Sequence, residues 1–383
     1  MKILVKFIAV TIYFGLSSVV FPLSLWLLIN AITWTGRGLA IVGFLATILP
    51  ASFYLQHHFK ILNRTWQYLN FSLVIGLIGL VILILVTTPT GQPGLDSPVS
   101  HQFSGSMKFL RYRLTNIIPE AEQINLGFTV MPYLDPIFTH AQAQRVSGFT
   151  LDLYREIEQD PHFRELGSVL GWAYAEIFNQ PFDVGHYYLY IPKNRPDGPL
   201  PAIVFLHGSL GNFKPYLWVW SRLAEREGFV IIAPSFGFGN WLRAGGVEAA
   251  LMALEDAEKQ VAIDPDQIYL AGLSNGGQGV SLLAELWPER FQGVIFLSPV
   301  MPGQIVNSKD FLDGWRGRPA LIISGETDRR IPANYVIDRA TFLEENGLNV
   351  TTLLYPNEDH FLFYSQPEKI LSDISTWIDT IKR

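Results

Sequence analysis

Long uninterrupted apolar stretches occupy the start of the chain, and from residue 186 they give way to short apolar runs alternating with amphipathic ones. Residues 7–29, FIAVTIYFGLSSVVFPLSLWLLI, carry no charged side chain and are long enough to cross a hydrocarbon core. Residues 68–87 are equally free of charge, whereas 38–56 are shorter and contain Pro50. The pattern predicts a transmembrane region over 1–87 with spans at about 7–29, 38–56 and 68–87. A cleaved signal peptide would suit Lys2 and Lys6. The first run is too long for a signal core, however, no A-x-A site follows it, and further apolar spans come after.

The flanking charges then give an orientation. Lys2, Lys6, Lys60 and Arg64 fall on one side of a three-span layout, and the other side has Arg37 followed by the neutral stretch TTPTGQPGLDSPVS. By the positive-inside tendency the amino terminus is cytoplasmic. The chain is therefore expected to be a multi-pass membrane protein with everything after residue 87 on the extracytoplasmic side.

Residues 88–185 are expected to be a linker and a helical extension. The linker, 88–100, is rich in Pro, Gly, Ser and Thr. Lys108, Arg111 and Arg113 further on suit either lipid headgroups or a solvated helix face. In DPHFRELGSVLGWAYAEIF, Asp160 is a candidate N-cap with Pro161 in the first turn. Phe163, Leu166, Leu170, Ala173 and Ile177 repeat at helical spacing, which predicts one helix packed on the domain that follows.

Over 186–383 the apolar runs are HYYLYIP, PAIVFLHG, FVIIAPS, QIYLAGLS, GVIFLSP, PALIISGE and VTTLLYP. Helical patterns separate them near 216–227, 246–261, 277–287 and 332–346, with a last one near 367–381. Near-continuous apolar strands alternating with helices predict an α/β domain, a mostly parallel sheet covered on both faces. Ligands of such sheets bind at the carboxyl ends of the strands.

Charge and cysteine content narrow the chemistry. A formal charge of −6 without a long basic run argues against nucleic acid as a partner. With no cysteine, thiolate metal sites, disulfides and a cysteine nucleophile are excluded.

The loops at the strand ends carry the remaining candidates. In Gly272-Leu273-Ser274-Asn275-Gly276 a serine lies between a strand and a helix, and the glycines allow a sharp turn that exposes its hydroxyl. A serine needs a base. His360, in NEDHFLF after the last strand, is the histidine downstream of it. Asp328, in ISGETDRRIP, is the candidate carboxylate for orienting His360, with Glu326 as rival and Asp338 and Asp359 as further alternatives. FLHGSLGN supplies a second strand-end loop. Backbone amides of Asn275 and of Ser209 or Leu210 are the candidate donors for an oxyanion.

The order HG loop, GLSNGG, GETDRRIP, EDHF resembles the α/β-hydrolase superfamily. IDPDQIYLAGLSNGGQG is similar to its branch of poly(3-hydroxybutyrate) depolymerases, feruloyl esterases and dienelactone-hydrolase-like carboxylesterases. The resemblance covers 186–383 and implies an α/β-hydrolase fold with a Ser274–Asp328–His360 triad. Amino-terminal spans are unusual in that branch, and APSFGFGNWL (233–242) has no assignable counterpart in it.

The expected activity is carboxylic-ester hydrolysis by a serine hydrolase, through an acyl-enzyme and without metal or cofactor. The expected partners are a small or oligomeric ester and the bilayer. A peptidase or acyltransferase on the same triad, and a non-enzymatic binding protein on this scaffold, are the alternatives. Phe236, Phe238 and Trp241 are candidates for an acyl pocket or for core. Residues 301–318 are too few for a large helical lid, which predicts an uncapped site unless 101–180 covers it.

Overall fold

The computed structural model describes residues 2–59, 64–104, 108–180, 184–195 and 197–382. The chain divides into two compact units, Met1–Pro89 with Arg111–Gly127, and Thr90–Leu110 with Phe128–Arg383.

The first unit contains the helices Lys2–Asn30, Trp34–Phe59 and Arg64–Thr87. The segments Phe7–Asn30, Trp34–His57 and Arg64–Thr87, each of 24 residues, are long and apolar enough to cross a membrane. At 1.5 Å per residue each is about 36 Å long. Pro50 lies inside the second helix without ending it, and that helix begins at Trp34, before the expected 38. Gly43 lets the first two helices approach closely, since a Cβ there would lie 2.2 Å from Ser24 Oγ. Ser52 Oγ donates to Asn70 Oδ1 at 3.0 Å, and Asn70 donates to Gln56 at 3.2 Å, joining the second and third helices by polar contacts. The carboxylate of Glu122 accepts from the amides of Ile32 at 3.0 Å and Thr33 at 2.7 Å, in the turn between the first two helices. Lys60, one of the charges behind the expected orientation, lies outside the described residues.

The second unit is built on an eight-stranded sheet. Its strands are β1 (Val99–Phe103), β2 (His186–Tyr190), β3 (Leu200–Leu206), β4 (Val230–Pro234), β5 (Ile263–Leu273), β6 (Gly293–Leu297), β7 (Pro319–Gly325) and β8 (Asn349–Tyr355). They lie in the order β1-β2-β4-β3-β5-β6-β7-β8, with β2 antiparallel to both β1 and β4 and the remaining pairs parallel. The seven apolar runs of the sequence correspond to β2–β8. The eighth strand, VSHQF, comes from the stretch expected to be linker. It is short and half polar, and it becomes a strand through pairing with β2.

Both faces of the sheet are buried away from its edge strands β1 and β8, which is why the inner strands read as continuous apolar runs. Ala202, Val204, Ile268, Leu270, Val294 and Phe296 point to one face, where they pack with Leu254, Leu283 and Leu343. Those three come from the helices Gly246–Gln260, Gly276–Leu286 and Ala333–Glu345. On the other face the Phe205 ring lies 5.4 Å from Trp220 and the Tyr269 ring 6.3 Å from Trp377. Trp220 belongs to the helix Lys214–Glu227 and Trp377 to Pro367–Ile381.

The single helix expected over 161–177 is two. Asp160 does cap the first, accepting from His162 and Phe163 amides at 2.8 and 2.9 Å. That helix ends at Leu166, because Gly167 turns to φ +74°, and a second runs Leu170–Ile177. A further helix, His140–Gln159, starts at a capping box between Thr139 and Gln142 and packs against Lys214–Glu227.

Candidate active site

Ser274 follows the last residue of β5 and has φ +52°, a left-handed conformation that is costly for a residue with a side chain. The glycines beside it answer a different need. A Cβ on Gly276 would lie 2.1 Å from the Leu206 carbonyl, and one on Gly272 would lie 2.5 Å from the Gly276 carbonyl. The turn can therefore press against the end of β3, and glycine is required there by close approach.

The structure brings the three predicted side chains together. His360 Nε2 lies 2.9 Å from Ser274 Oγ, and His360 Nδ1 lies 2.8 Å from Asp328 Oδ2. Asp328 is fully buried, and its other oxygen accepts from the amides of Arg330 and Ile331 at 2.8 and 2.9 Å. Those two bonds fix the carboxylate plane, and a buried carboxylate held this way favours the imidazole tautomer with its proton on Nδ1. The rival Glu326 and the alternative Asp338 are exposed. Asp359 is buried but turned away, paired with Arg145 at 2.5 Å and accepting from Gln142 at 3.0 Å.

The second strand-end loop passes close to the serine. A Cβ on Gly208 would lie 3.1 Å from the Leu273 carbonyl and 3.4 Å from Ser274 Cβ. Leu210 holds φ +81°, and Ser209, Leu210 and Asn275 line one cavity with Ser274 and His360. His207, at the start of this loop, is wholly buried. Its Nε2 accepts from the Phe236 amide at 3.1 Å and its Nδ1 donates to the Gly208 carbonyl at 2.8 Å. Burial lowers its pKa to about 4, so it is neutral and braces the loop.

The cavity has a volume of 410 Å³. Of the three aromatics considered for an acyl pocket, Phe238 lines it. Phe236 and Trp241 are built into the core instead, with rings 5.6 Å apart, and Trp241 Nε1 donates to the His207 carbonyl at 2.8 Å. The loop that carries Phe238 is held by Glu176, which accepts from the Phe238 amide, from Asn240 at 2.6 Å and from Arg243 at 2.6 Å. Burial works to raise the Glu176 pKa, but these donors outweigh it and keep the carboxyl below its ordinary range.

Sequence reasoning missed most of the cavity wall. Phe213, Tyr216, Phe361 and Tyr364 contribute from two separate stretches, and the Phe213 and Tyr216 rings lie 4.2 Å apart. Phe128, Met131, Asp135 and Phe138 form a further wall. Part of the 101–180 stretch, the alternative left open to an uncapped site, thus borders the cavity. The spacing 128, 131, 135, 138 was a legible stripe at the helical period, but nothing in it named what it faced. This wall is fastened beside the triad by the pair Arg330–Asp135, and the helix His140–Gln159 that follows it by Arg145–Asp359.

No family model matches the chain. A poly(3-hydroxybutyrate) depolymerase of Ralstonia pickettii is 29% identical over 143 residues, which is 30% of this chain and 29% of the relative. Dipeptidyl-peptidase 5 of Porphyromonas gingivalis is 25% identical over 229 residues, 47% of this chain and 33% of the relative. The matched stretches thus span about a third of the length of these curated relatives. Among solved structures, Est1E from Butyrivibrio proteoclasticus superposes on 51% of this chain and 94% of its own, at 19% identity and a TM-score of 0.41. The strand order, the antiparallel β2, the serine turn after β5 and the histidine loop after β8 identify the sheet-bearing unit as an α/β-hydrolase fold.

Proposed function

We propose that the protein is a membrane-anchored serine hydrolase that cleaves carboxylic esters. The observation that carries the reading is the chain Ser274 Oγ–His360 Nε2, 2.9 Å, and His360 Nδ1–Asp328 Oδ2, 2.8 Å, at the edge of a largely apolar cavity. In this reading His360 takes the Ser274 proton as Oγ attacks the ester carbonyl carbon. Asp328 accepts the Nδ1 hydrogen bond and stabilises the imidazolium. The amides of Asn275 and of Ser209 or Leu210 receive the developing oxyanion. His360 then protonates the leaving alcohol and draws a proton from the water that hydrolyses the acyl-enzyme.

The similarity to dipeptidyl-peptidases raises a peptidase as the second reading. Capture of a free peptide amine calls for an unpaired carboxylate in the pocket. Asp135 is the carboxylate among the described lining residues, and it is already paired with Arg330, which favours the ester. The apolar spans and their flanking charges support anchoring with the catalytic unit outside the cytoplasm.

Fluorophosphonate labelling of the full chain, with Ser274→Ala as control, tests the nucleophile. Parallel ester, dipeptidyl-amide and thioester panels test the substrate class, and turnover of the amides alone would overturn the ester reading. A reporter fused after residue 383 that is active in the cytoplasm would overturn the orientation.

A further inference from the structure

From Phe128 onward the helix Glu120–Leu134 and the turn after it belong to the sheet-bearing unit and carry two largely apolar stripes. Phe128, Met131, Asp135 and Phe138 face the cavity. Val130, Tyr133 and Leu134, at the i, i+3, i+4 spacing of a helical face, and Ile137 in the turn beyond it are exposed to solvent, with Tyr133 77% and Leu134 72% exposed. One wall of the cavity is therefore apolar on its outside as well. In water such a stripe is unfavourable, and contiguous exposed apolar surface of this kind marks an interaction site.

Chain length says what covers it. The third apolar span ends at Thr87 and the sheet-bearing unit begins at Thr90, so the connection reaches no further than about 11 Å. The stripe itself starts at Val130, three residues after Gly127, where the span-bearing unit ends. The span-bearing unit holds that approach at the end of the spans, because Glu122 caps the turn at Ile32 and Thr33. From Leu114 to Thr139 there is no Lys or Arg, so attraction to anionic headgroups does not supply the contact.

We propose that the Val130–Ile137 stripe seats in the apolar boundary of the bilayer, and that the cavity behind it takes its ester from the lipid phase. The substrate class is then an ester apolar enough to partition into a membrane. This rests on the hydrolase reading above, and the two are separable by experiment.

The chain has no cysteine, so Leu134→Cys gives a single labelling site. With the full protein in phosphatidylcholine nanodiscs, an environment-sensitive fluorophore at position 134 is expected to shift to the blue and to be quenched by spin-labelled lipid. The same fluorophore at Asp266→Cys, an exposed position of β5, is expected to show neither. A probe at 134 that behaves like the one at 266 overturns the proposal whatever the enzyme hydrolyses. Tyr133→Ser with Leu134→Ser is expected to lower turnover of a bilayer-dissolved long-chain aryl ester by about tenfold, through weaker partitioning of the stripe. Hydrolysis of a water-soluble acetate should change less than about twofold, because neither side chain lines the cavity. Equal loss on both esters, or loss on neither, overturns the lipid route. A quenched probe in a protein that hydrolyses no ester would instead reject the hydrolase reading and leave the docking in place.

Discussion

Asp359 and Arg145 are joined at 2.5 Å, and Asp359 is the residue immediately before His360. The ion pair thus ties the helix His140–Gln159 to the loop that presents the base. Gln142 reinforces it from one turn earlier on the same helix, donating to Asp359 at 3.0 Å.

Loss of this tie should act on turnover more than on stability. Arg145 is 38% exposed, so solvent screening limits the pair to roughly 1 kcal/mol or less of fold stability. Freeing the His360 loop misplaces the base, and Arg145→Ala is expected to lower kcat on the order of tenfold. Ester kinetics alongside urea unfolding check this, and a large drop in the urea midpoint with unchanged kcat would contradict it.

The triad roles predict a graded series. Ser274→Ala and His360→Ala should each reduce kcat by roughly four orders of magnitude or more with the fold retained. Asp328→Asn should also cost heavily, because an amide in place of the buried carboxylate can hold the wrong imidazole tautomer. Glu326→Gln, at an exposed position, should leave kcat near its starting value. Near-full activity of Asp328→Asn would refute the assignment.

Gly276→Ala tests whether close approach requires the glycine of the serine turn. The added methyl would meet the Leu206 carbonyl at 2.1 Å, and a strand-end backbone cannot swing aside as a side chain can. A loss of about 1–3 kcal/mol in unfolding free energy is expected, together with loss of activity. An active variant of unchanged stability would show that the turn relaxes freely.

Acid should destabilise the sheet through its first two strands. His101 Nδ1 lies 2.8 Å from His186 Nε2, and His186 Nδ1 lies 2.8 Å from Ser235 Oγ. Burial lowers the His101 pKa from 6.5 to about 4, and burial followed by the proximity of His101 lowers that of His186 as well. The folded values are below the unfolded ones, so the unfolded state takes up protons first. Stability from this source is complete above about pH 6.5 and is lost as pH falls toward 4, by up to about 3 kcal/mol for His101 alone. Unfolding midpoints measured between pH 7 and 4 should fall along that window, and His101→Gln should flatten the decline.

Glu176 predicts a binding defect. It holds the loop that carries Phe238 into the cavity, so Glu176→Ala should raise KM several-fold with a smaller change in kcat. A fall confined to kcat would place its role elsewhere.

Much of this arrangement was legible in the residues themselves, and the reasons are local. The spans announce themselves because a membrane-crossing helix must be apolar along its whole length. β2–β8 do so because a sheet covered on both faces needs apolar residues at successive positions. Ser274, Asp328 and His360 were readable because each occupies a loop directly after a strand, where the chain order of the motifs survives in one dimension. Tertiary structure alone decided the rest. β1 is a strand by pairing with β2, and its own five residues alternate too weakly to say so. Phe236, Phe238 and Trp241 lie within six residues of one another and look alike in sequence. Their separation into core and cavity wall depends on Glu176, which reaches the loop from a helix 62 residues earlier. Which side of residues 128–138 faces the cavity was settled in the same way, with Asp135 paired to Arg330, 195 residues away. Local periodicity fixes what a segment can bury, but contacts between segments far apart in the chain fix what it is buried against.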